Sequence, residues 1–134
     1  MVVVGAGVTG LSIAWHLLGM GCAVTVVERS GVAAGASGVQ PGGVRQQWST
    51  RVSCLLARES VAFYRDVSDR LESPLDPVLE PCGYLFVADS QGALDGLRAN
   101  VALQSELGIP SQIVSPAEAE AIVPGLRVDG MAGA

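Results

Sequence analysis

The fold of this chain is decided near its start, by the stretch Val2-Val3-Val4-Gly5-Ala6-Gly7-Val8-Thr9-Gly10. Its β-branched run predicts a buried strand, and glycines follow at once in the pattern G-x-G-x-x-G. Apolar residues then recur at helical spacing until Gly19 and Gly21 end the predicted helix. A second buried-strand pattern, residues 23–27, leads to Glu28. This order predicts a βαβ unit, the first unit of a Rossmann-type α/β fold.

Each glycine of the turn has its own role in such a unit. Gly5 makes the tight turn, Gly7 lets the backbone approach a pyrophosphate, and Gly10 lets the helix pack on the strand. The helix begins where the phosphates would lie, so its N–H groups and dipole favour negative charge. Glu28 follows Gly10 by 18 residues (28 minus 10), near the spacing of an acid that accepts from ribose hydroxyls. The sequence therefore predicts a dinucleotide site without a 2′-phosphate, in preference to a purely structural turn.

The composition excludes several kinds of partner and catalyst. The 134 residues carry a net charge of −5 and no basic patch, so we expect neither a nucleic acid nor an anionic membrane as a partner. All eight cationic residues are arginines. The absence of lysine excludes a P-loop lysine, a Schiff base and any other lysine catalyst within this sequence.

The cysteines and the apolar start carry little further signal. Cys22, Cys54 and Cys82 are odd in number and lack C-x-x-C spacing, which indicates neither a disulfide framework nor a zinc site, and we predict no metal. No basic n-region precedes the first strand, and His16 and glycines interrupt the apolar stretch that follows. We therefore expect no signal peptide, no membrane span and a cytoplasmic location.

The loop at residues 29–43 is rich in Gly, Ala and Ser, which suits close contact with a ligand, although a flexible surface loop is the alternative. It contains Gly35-Ala36-Ser37-Gly38 and leads into Gly42-Gly43-Val44-Arg45-Gln46-Gln47. Together with the glycine turn and Glu28-Arg29, these motifs resemble the FAD-dependent oxidoreductases of the D-amino-acid oxidase, glycine oxidase and sarcosine oxidase family. The sequence resembles most the bacterial sarcosine oxidase β-subunit-like members. Later motifs, such as Ser115-Pro116-Ala117-Glu118, also match in kind and order, so the resemblance spans nearly the whole chain.

The resemblance implies FAD as the cofactor and identifies the residues that would contact it. These residues are Gly5, Ala6, Gly7, Val8, Thr9, Gly10, Glu28, Arg29, Ser37, Gly42, Gly43, Val44, Arg45 and Gln47. The glycine turn would line the pyrophosphate, which Ser37 would also reach. Glu28 would bind the adenosine ribose, and Arg29 would border the adenine.

The last five of these residues would lie at the flavin end. Gly42, Gly43 and Val44 would run beside it, while Arg45 and Gln47 would face the ring or the substrate entrance. A solvated surface loop is the alternative for this pair. The only histidine lies within the first helix and matches no flavin-attachment position of the family, so we expect no covalent attachment from this segment.

The remainder of the chain predicts a scaffold of helices and short strands. A core-facing helix is predicted from Thr50 to Glu72, with one apolar face formed by Val52, Leu56, Phe63, Val67 and Leu71. Prolines in the stretch 73–77 end it.

Four elements follow this helix: a strand at 84–87, a helix from about Gln91 to Gly108, a short strand at 113–114, and a helix with a Ser115 capping box. We place a domain crossing before them. Residues 1–79 would then be the N-terminal part of an FAD-binding domain, and residues 80–134 the first part of a mixed α+β substrate domain.

The resemblance implies oxidation of a carbon–nitrogen bond in an amino acid or an N-methylated glycine derivative, by hydride transfer to FAD. An electron acceptor (oxygen or an electron-transfer protein) and a hetero-oligomer are the implied partners. The chain would be an N-terminal fragment that is inactive by itself, because the resemblance implies that the returning strands of the cofactor domain, the substrate pocket and the catalytic residues lie downstream of it. Two alternatives stay open: an NAD-dependent Rossmann dehydrogenase, and a non-catalytic flavoprotein-like assembly subunit.

Overall fold

The computed structural model describes residues 1–74 and 79–134, so Pro77 of the predicted helix-ending stretch lies outside the described residues. The chain divides into two units, Met1–Gly43 and Val44–Ala134. The predicted domain boundary at Leu79 falls within the second unit. The assignment of the flanking ranges to a cofactor domain and a substrate domain stays a prediction.

The first unit contains the predicted βαβ arrangement. Strand β1 (Val2–Val4) and strand β2 (Thr25–Val27) pair in parallel. Helix α1 (Val8–Gly19) connects them, and a short helix α2 (Ala36–Val39) follows β2. The α/β fold class predicted from the sequence is confirmed.

Helix α1 ends where the glycines predict. Gly21 has a φ of +79°, a conformation that glycine adopts without a steric penalty. Its N–H donates to the carbonyl of Leu18, and the Cys22 N–H donates to the carbonyl of Leu17. This pair of hydrogen bonds forms a Schellman motif, which satisfies the last carbonyls of the helix and turns the chain towards β2.

Strand β1 is covered on one face only. Val3 is buried under α1, whereas Val2 and Val4 are 68% and 83% exposed because successive side chains of a strand point to opposite faces. The buried strand that the sequence predicts is thus covered on this one face in the structure described. Helix α1 covers the face of Val3, and the described β-sheet has two strands.

The second unit is helical. Its elements are α3 (Arg51–Arg65), α4 (Val67–Arg70), α5 (Gln91–Glu106) and α6 (Pro116–Ile122). Helices α3 and α5 pack together around Cys54, Leu107 and Ile109. A second apolar cluster centres on Val114, Ala119 and Ala134.

Side chains cap the N-termini of three of these helices. Thr50, Ser90 and Ser115 accept from backbone N–H groups three residues further on, and the predicted capping box of Ser115 with Glu118 is present.

The predicted apolar face of the helix after Thr50 is wrong near the start of the helix, although Val67 of that face is buried. Val52 and Leu56 are each 67% exposed, while Cys54 and Val61 are buried. Arg58 lies on the buried side, and its guanidinium donates to the Leu107 carbonyl at 2.9 Å, at the end of α5. A small residue and a capping arginine therefore form the packed face, which a count of large apolar residues does not detect. The helix also breaks at Asp66, where α3 ends and α4 begins.

The two strands predicted in the second unit are also wrong. Residues 84–87 and 113–114 form no ladder within the described part of the chain. The pairing that does occur is local. Ala88 forms an antiparallel bridge with Gly133, and Val114 exchanges two backbone hydrogen bonds with Ala134. The partners come from the last residues of the chain, where no strand pattern is visible in the sequence.

The close contact of α1 with β1 leads to a stability prediction. A Cβ on Gly10 would overlap the backbone carbonyl of Gly5, so Gly10→Ala should destabilise the protein by about 1–3 kcal/mol. Gly19→Ala is the matched control, because it adds the same methyl group to the same helix where no atom lies within 4 Å. It should be neutral or stabilising by up to about 1 kcal/mol. Urea unfolding of both variants, expressed from the complete reading frame, measures the difference. Equal midpoints would contradict the predicted contact.

Candidate cofactor-binding site

The glycine turn joins β1 to α1 as the sequence predicts. Gly5 has a φ of +100°, which explains why the first position of the turn is a glycine. Its N–H donates to the Val27 carbonyl at 2.8 Å and extends the parallel pairing by one residue. A Cβ on Gly10 would clash with the Gly5 backbone and lie 3.5 Å from Val3. The first and third glycines therefore have the turning and packing roles assigned to them.

The N-terminus of α1 faces a serine of the short helix α2. Val8 is the first residue of the helix, and its N–H donates to Ser37 Oγ at 2.9 Å. A Cβ on Gly7 would lie 3.0 Å from the same oxygen, so a side chain there would crowd the serine. The first-turn N–H groups of an α-helix have no helical carbonyl partner, and Thr9 and Gly10 lie in this turn. Backbone donors and a hydroxyl thus meet at one helix end, an arrangement suited to an anion.

Glu28 holds the turn in place with its carboxylate. One carboxylate oxygen accepts from the Ala6 N–H and the other accepts from the Ser30 N–H, both at 2.9 Å. The hydrogen bond from Ala6, and to a smaller extent that from Ser30, holds the pKa of the Glu28 carboxyl below its usual value of 4.5. Glu28 is exposed, and each carboxylate oxygen can accept more than one hydrogen bond. The acid can therefore hold the turn and still accept from a ligand hydroxyl.

Two residues of the site were missed by the sequence analysis. Ala33 has a φ of +57° and donates its N–H to the Ala6 carbonyl at 2.9 Å, which folds the loop back onto the glycine turn. A Cβ on Gly38 would overlap the Ala33 carbonyl, so only glycine permits α2 to pack there. An alanine in a left-handed conformation leaves no signal in the sequence. The Gly-rich composition was the only indication that Gly38 is constrained.

The predicted contacts are divided between the two units. The turn, Glu28, Arg29 and Ser37 belong to the first unit, where hydrogen bonds bring Ala6, Val8, Glu28 and Ser37 together. Arg29 is exposed beside Glu28. Gly42, with a φ of +77°, and Gly43 end this unit, whereas Val44, Arg45 and Gln47 belong to the second. The roles assigned to all these residues in binding FAD stay predictions.

Comparison with known proteins identifies the family. A family model described as FAD dependent oxidoreductase matches residues 1–134. The chain belongs to this family. The family predicted from the motifs is thus confirmed, and FAD is the cofactor on which the family depends.

Relatives of the FAD-dependent oxidoreductase family match over almost the whole chain. The FAD-dependent oxidoreductase domain-containing protein 1 of Bos taurus is 34% identical, over 98% of this chain and 29% of that protein. The mitochondrial sarcosine dehydrogenase of Mus musculus is 32% identical, over 99% of this chain and 14% of that protein. The crystal structure of L-proline dehydrogenase from P. horikoshii superposes with a TM-score of 0.89 at 27% identity, over 98% of this chain and 34% of that chain. The chain thus spans 14–34% of the length of these three relatives.

The residues of the first unit fit the adenosine diphosphate part of FAD. Because Gly7 has no side chain, the diphosphate could approach the N-terminus of α1. Backbone N–H groups and the Ser37 hydroxyl would hold it there. Glu28 would accept from the ribose hydroxyls.

No helix within residues 1–74 and 79–134 has the length and hydropathy needed to cross a bilayer.

The hydrogen bonds of Glu28 predict a dependence of stability on pH. Because the pKa of Glu28 is lowered in the folded state, its stabilising contribution is complete above its usual value of 4.5. It is lost as the pH falls from 4.5 through the lowered value of the folded state. Glu28→Gln should therefore be destabilising at about pH 7, since an amide has one acceptor oxygen for two N–H groups, and the difference from wild type should shrink at about pH 4 and below.

The pH prediction can be measured by urea unfolding across this pH range. Glu120→Gln, a change of the same chemistry at an exposed position of α6, is the matched control. A constant difference between Glu28→Gln and wild type from about pH 7 to about pH 3 would show that the Glu28 carboxylate does not hold the turn.

Proposed function

We propose that the protein is an enzyme that oxidises the carbon–nitrogen bond of an amino acid or an N-methylated glycine derivative. The observation that carries the proposal is the glycine turn held by Glu28 at the N-terminus of α1, in a chain of an FAD-dependent family. Support for the substrate class comes from two relatives, whose names specify sarcosine and L-proline. Both molecules are secondary amines with a carboxylate one carbon away.

Bound FAD would supply a two-electron acceptor that takes a hydride from the carbon beside the substrate nitrogen, leaving an imine that water hydrolyses. The chain's own residues would bind and position this acceptor. The first turn of α1 and Ser37 would donate hydrogen bonds to the diphosphate, and Glu28 would accept from the ribose hydroxyls. The Glu28 bonds to Ala6 and Ser30 keep the turn in one conformation before the ligand arrives, which lowers the entropic cost of binding.

The electron acceptor, either oxygen or an electron-transfer protein, belongs to this proposal, as do assembly into a hetero-oligomer and a cytoplasmic location. An NAD-dependent dehydrogenase would use the same glycine turn and acid, but the family match favours FAD. The loop from Gly35 to Gly43 supports FAD as well, since Ser37 accepts from the first N–H of α1 and Gly38 packs against Ala33, which is bonded to the turn.

Protein expressed from the complete reading frame should carry FAD and reduce a dye when an amine substrate is present. The cofactor is released by denaturation and identified by its absorbance and mass. Dye reduction is then assayed with sarcosine, L-proline and several D-amino acids, with the N-methyl amide of acetic acid as a substrate-like control without a basic nitrogen. The proposed function would be contradicted if a nicotinamide cofactor were released. It would also be contradicted if none of these amines led to dye reduction by the FAD-loaded protein.

A second prediction concerns Gly7. Gly7→Val should greatly reduce the FAD content, because its side chain would crowd Ser37 Oγ and occupy the approach to the α1 N-terminus. Gly19→Val is the matched control at the other end of the same helix, where an added Cβ meets no atom within 4 Å. FAD content per polypeptide, measured by absorbance on protein with a native circular dichroism spectrum, provides the comparison. Equal FAD content in the two variants would remove Gly7 from the site.

A further inference from the structure

Gln104 lies in the last turn of α5 and is 4% exposed. Within residues 1–74 and 79–134 it is the only buried residue with an amide, hydroxyl or charged side chain. Its Nε2 donates to the Trp48 carbonyl at 2.9 Å, across 56 positions of the chain. A buried amide without a partner would destabilise the fold, and this hydrogen bond offsets that cost. Gln104 therefore ties the end of α5 to one backbone carbonyl of a distant segment.

The end of the helix fixes the position of Gln104 itself. Its backbone carbonyl accepts from the N–H groups of Leu107 and Ile109, at 3.1 and 2.9 Å. Gly108 has a φ of +72°, and its N–H donates to the carbonyl of Ser105, so these bonds form a Schellman motif. Leu107 and Ile109 are both buried. The amide of Gln104 thus extends from an ordered and buried helix end.

A second buried side chain holds the same carbonyl. Cys54 of α3 is fully buried, and its Sγ donates to the Trp48 carbonyl at 3.2 Å. A carbonyl oxygen has two lone pairs, so it can accept from both donors. Because a thiol is a weak donor, the amide of Gln104 is the stronger of the two anchors.

Trp48 connects this fixed carbonyl to Arg45. Its indole Nε1 donates to the Arg45 carbonyl at 3.4 Å. The Arg45 Cζ atom lies 4.1 Å from the centre of the Trp48 ring and 5.2 Å from the centre of the Phe86 ring, both within the range of cation–π attraction. The backbone and the side chain of Arg45 therefore both contact Trp48. A shift of the Trp48 backbone would move Arg45 with it.

We propose that Gln104 is a positioning residue for the flavin end of the cofactor site. Through the Trp48 carbonyl, it holds Arg45 where the guanidinium faces the flavin ring. The inference rests on the proposed function, in which the resemblance to the family assigns Arg45 and Gln47 to the ring or the substrate entrance. Gln104 acts through Trp48 and Arg45 and contacts neither the cofactor nor the substrate.

This role has a consequence for the redox properties of bound FAD. A flavin ring gains negative charge when it is reduced, so a guanidinium beside the ring favours the reduced form. Without the amide of Gln104, the Trp48 carbonyl would be held by the weaker Cys54 donor, and Arg45 would occupy a wider range of positions. The reduction potential of bound FAD should therefore be lower when Gln104 is replaced.

Two substitutions remove the amide donor and keep the length of the side chain. Gln104→Met loses its polarity, and Gln104→Glu keeps the shape while its ionised carboxylate cannot donate to a carbonyl. Gln91→Met is the matched control, since it removes an exposed glutamine of the same helix, whose amide bonds Asp95. The reduction potential is measured by dye equilibration on FAD-loaded protein from the complete reading frame. We expect a negative shift in both Gln104 variants and none in Gln91→Met. An unchanged potential in Gln104→Met would overturn the proposal.

A double substitution distinguishes positioning from a general structural role. Arg45→Met removes the guanidinium and should lower the reduction potential at least as much as Gln104→Met. If Gln104 acts through Arg45, adding Gln104→Met to Arg45→Met should produce no further shift. A shift of the same size in the Arg45→Met background would overturn the proposal, because the effect would then not require the arginine.

Proteolysis measures the release of the segment without reference to the flavin. Trypsin cleavage after Arg45, followed by mass spectrometry, should be about fivefold or more faster in Gln104→Met than in wild type. Cleavage after Arg98, which lies inside α5, is the internal control and should keep its wild-type rate. Equal cleavage rates after Arg45 would show that the amide does not hold the segment. A parallel increase after Arg98 would assign Gln104 to the stability of the helix instead, and either result would overturn the proposal.

Oxidation of sarcosine separates this inference from the proposed function. If sarcosine is oxidised and the reduction potential of Gln104→Met equals that of wild type, the positioning role is wrong while the proposed function stands. If no amine reduces the FAD-loaded protein but Gln104→Met lowers the potential only when Arg45 is present, the proposed function fails and the positioning role stands.

Discussion

The hydrogen bond from the Ala6 N–H to the Glu28 carboxylate is the interaction on which the first unit depends. It spans 22 residues and joins the glycine turn to the end of β2. The carbonyl of the same residue accepts from Ala33, so both backbone polar groups of buried Ala6 have partners. The turn, the second strand and the loop after it therefore share one hydrogen-bonded centre. The N-terminus of α1 therefore faces Ser37, and the backbone N–H groups of its first turn point out of the helix.

The second unit is held together on a similar principle, in which buried or partly buried side chains bind backbone carbonyls outside the helices. Gln104 and Cys54 bind the Trp48 carbonyl, and Arg58 binds the Leu107 carbonyl where α5 ends. These bonds are worth more in a buried environment than at the surface because water does not compete for the carbonyl. They also explain how a helical unit supports an ordered loop that carries an arginine on a tryptophan ring.

The sequence predicts most of the first unit, and the start of α6 in the second, because the constraints there are local. The glycine at position 5 needs a positive φ, Gly21 needs a left-handed cap, and Ser115 with Glu118 forms a capping box. Each of these features depends on residues that are close together in the sequence, so a sequence pattern can predict it. Membership of the family follows from the same motifs and is confirmed over the whole chain.

Properties that depend on distant partners were not predicted. On the packed side of α3, Cys54 is buried against Leu107 and Ile109, and Arg58 donates to the Leu107 carbonyl. These partners lie about fifty positions further along the chain. The left-handed conformation of Ala33 follows from its bond to Ala6, and the bridge of Ala88 depends on Gly133. The aromatic contacts of Arg45 likewise require Phe86 from a separate segment. A periodicity within one segment contains no information about these pairings.

The most direct test of the account is a crystal structure of the protein, expressed from its complete reading frame, with FAD bound. The account predicts that a Glu28 carboxylate oxygen lies within about 3.2 Å of a ribose hydroxyl oxygen while the other bonds of the turn persist. It also predicts that the diphosphate lies against the α1 N-terminus, within hydrogen-bonding distance of Ser37 Oγ. Electron density that places the diphosphate away from α1, or the ribose away from Glu28, would contradict the central claim that this turn is the cofactor site.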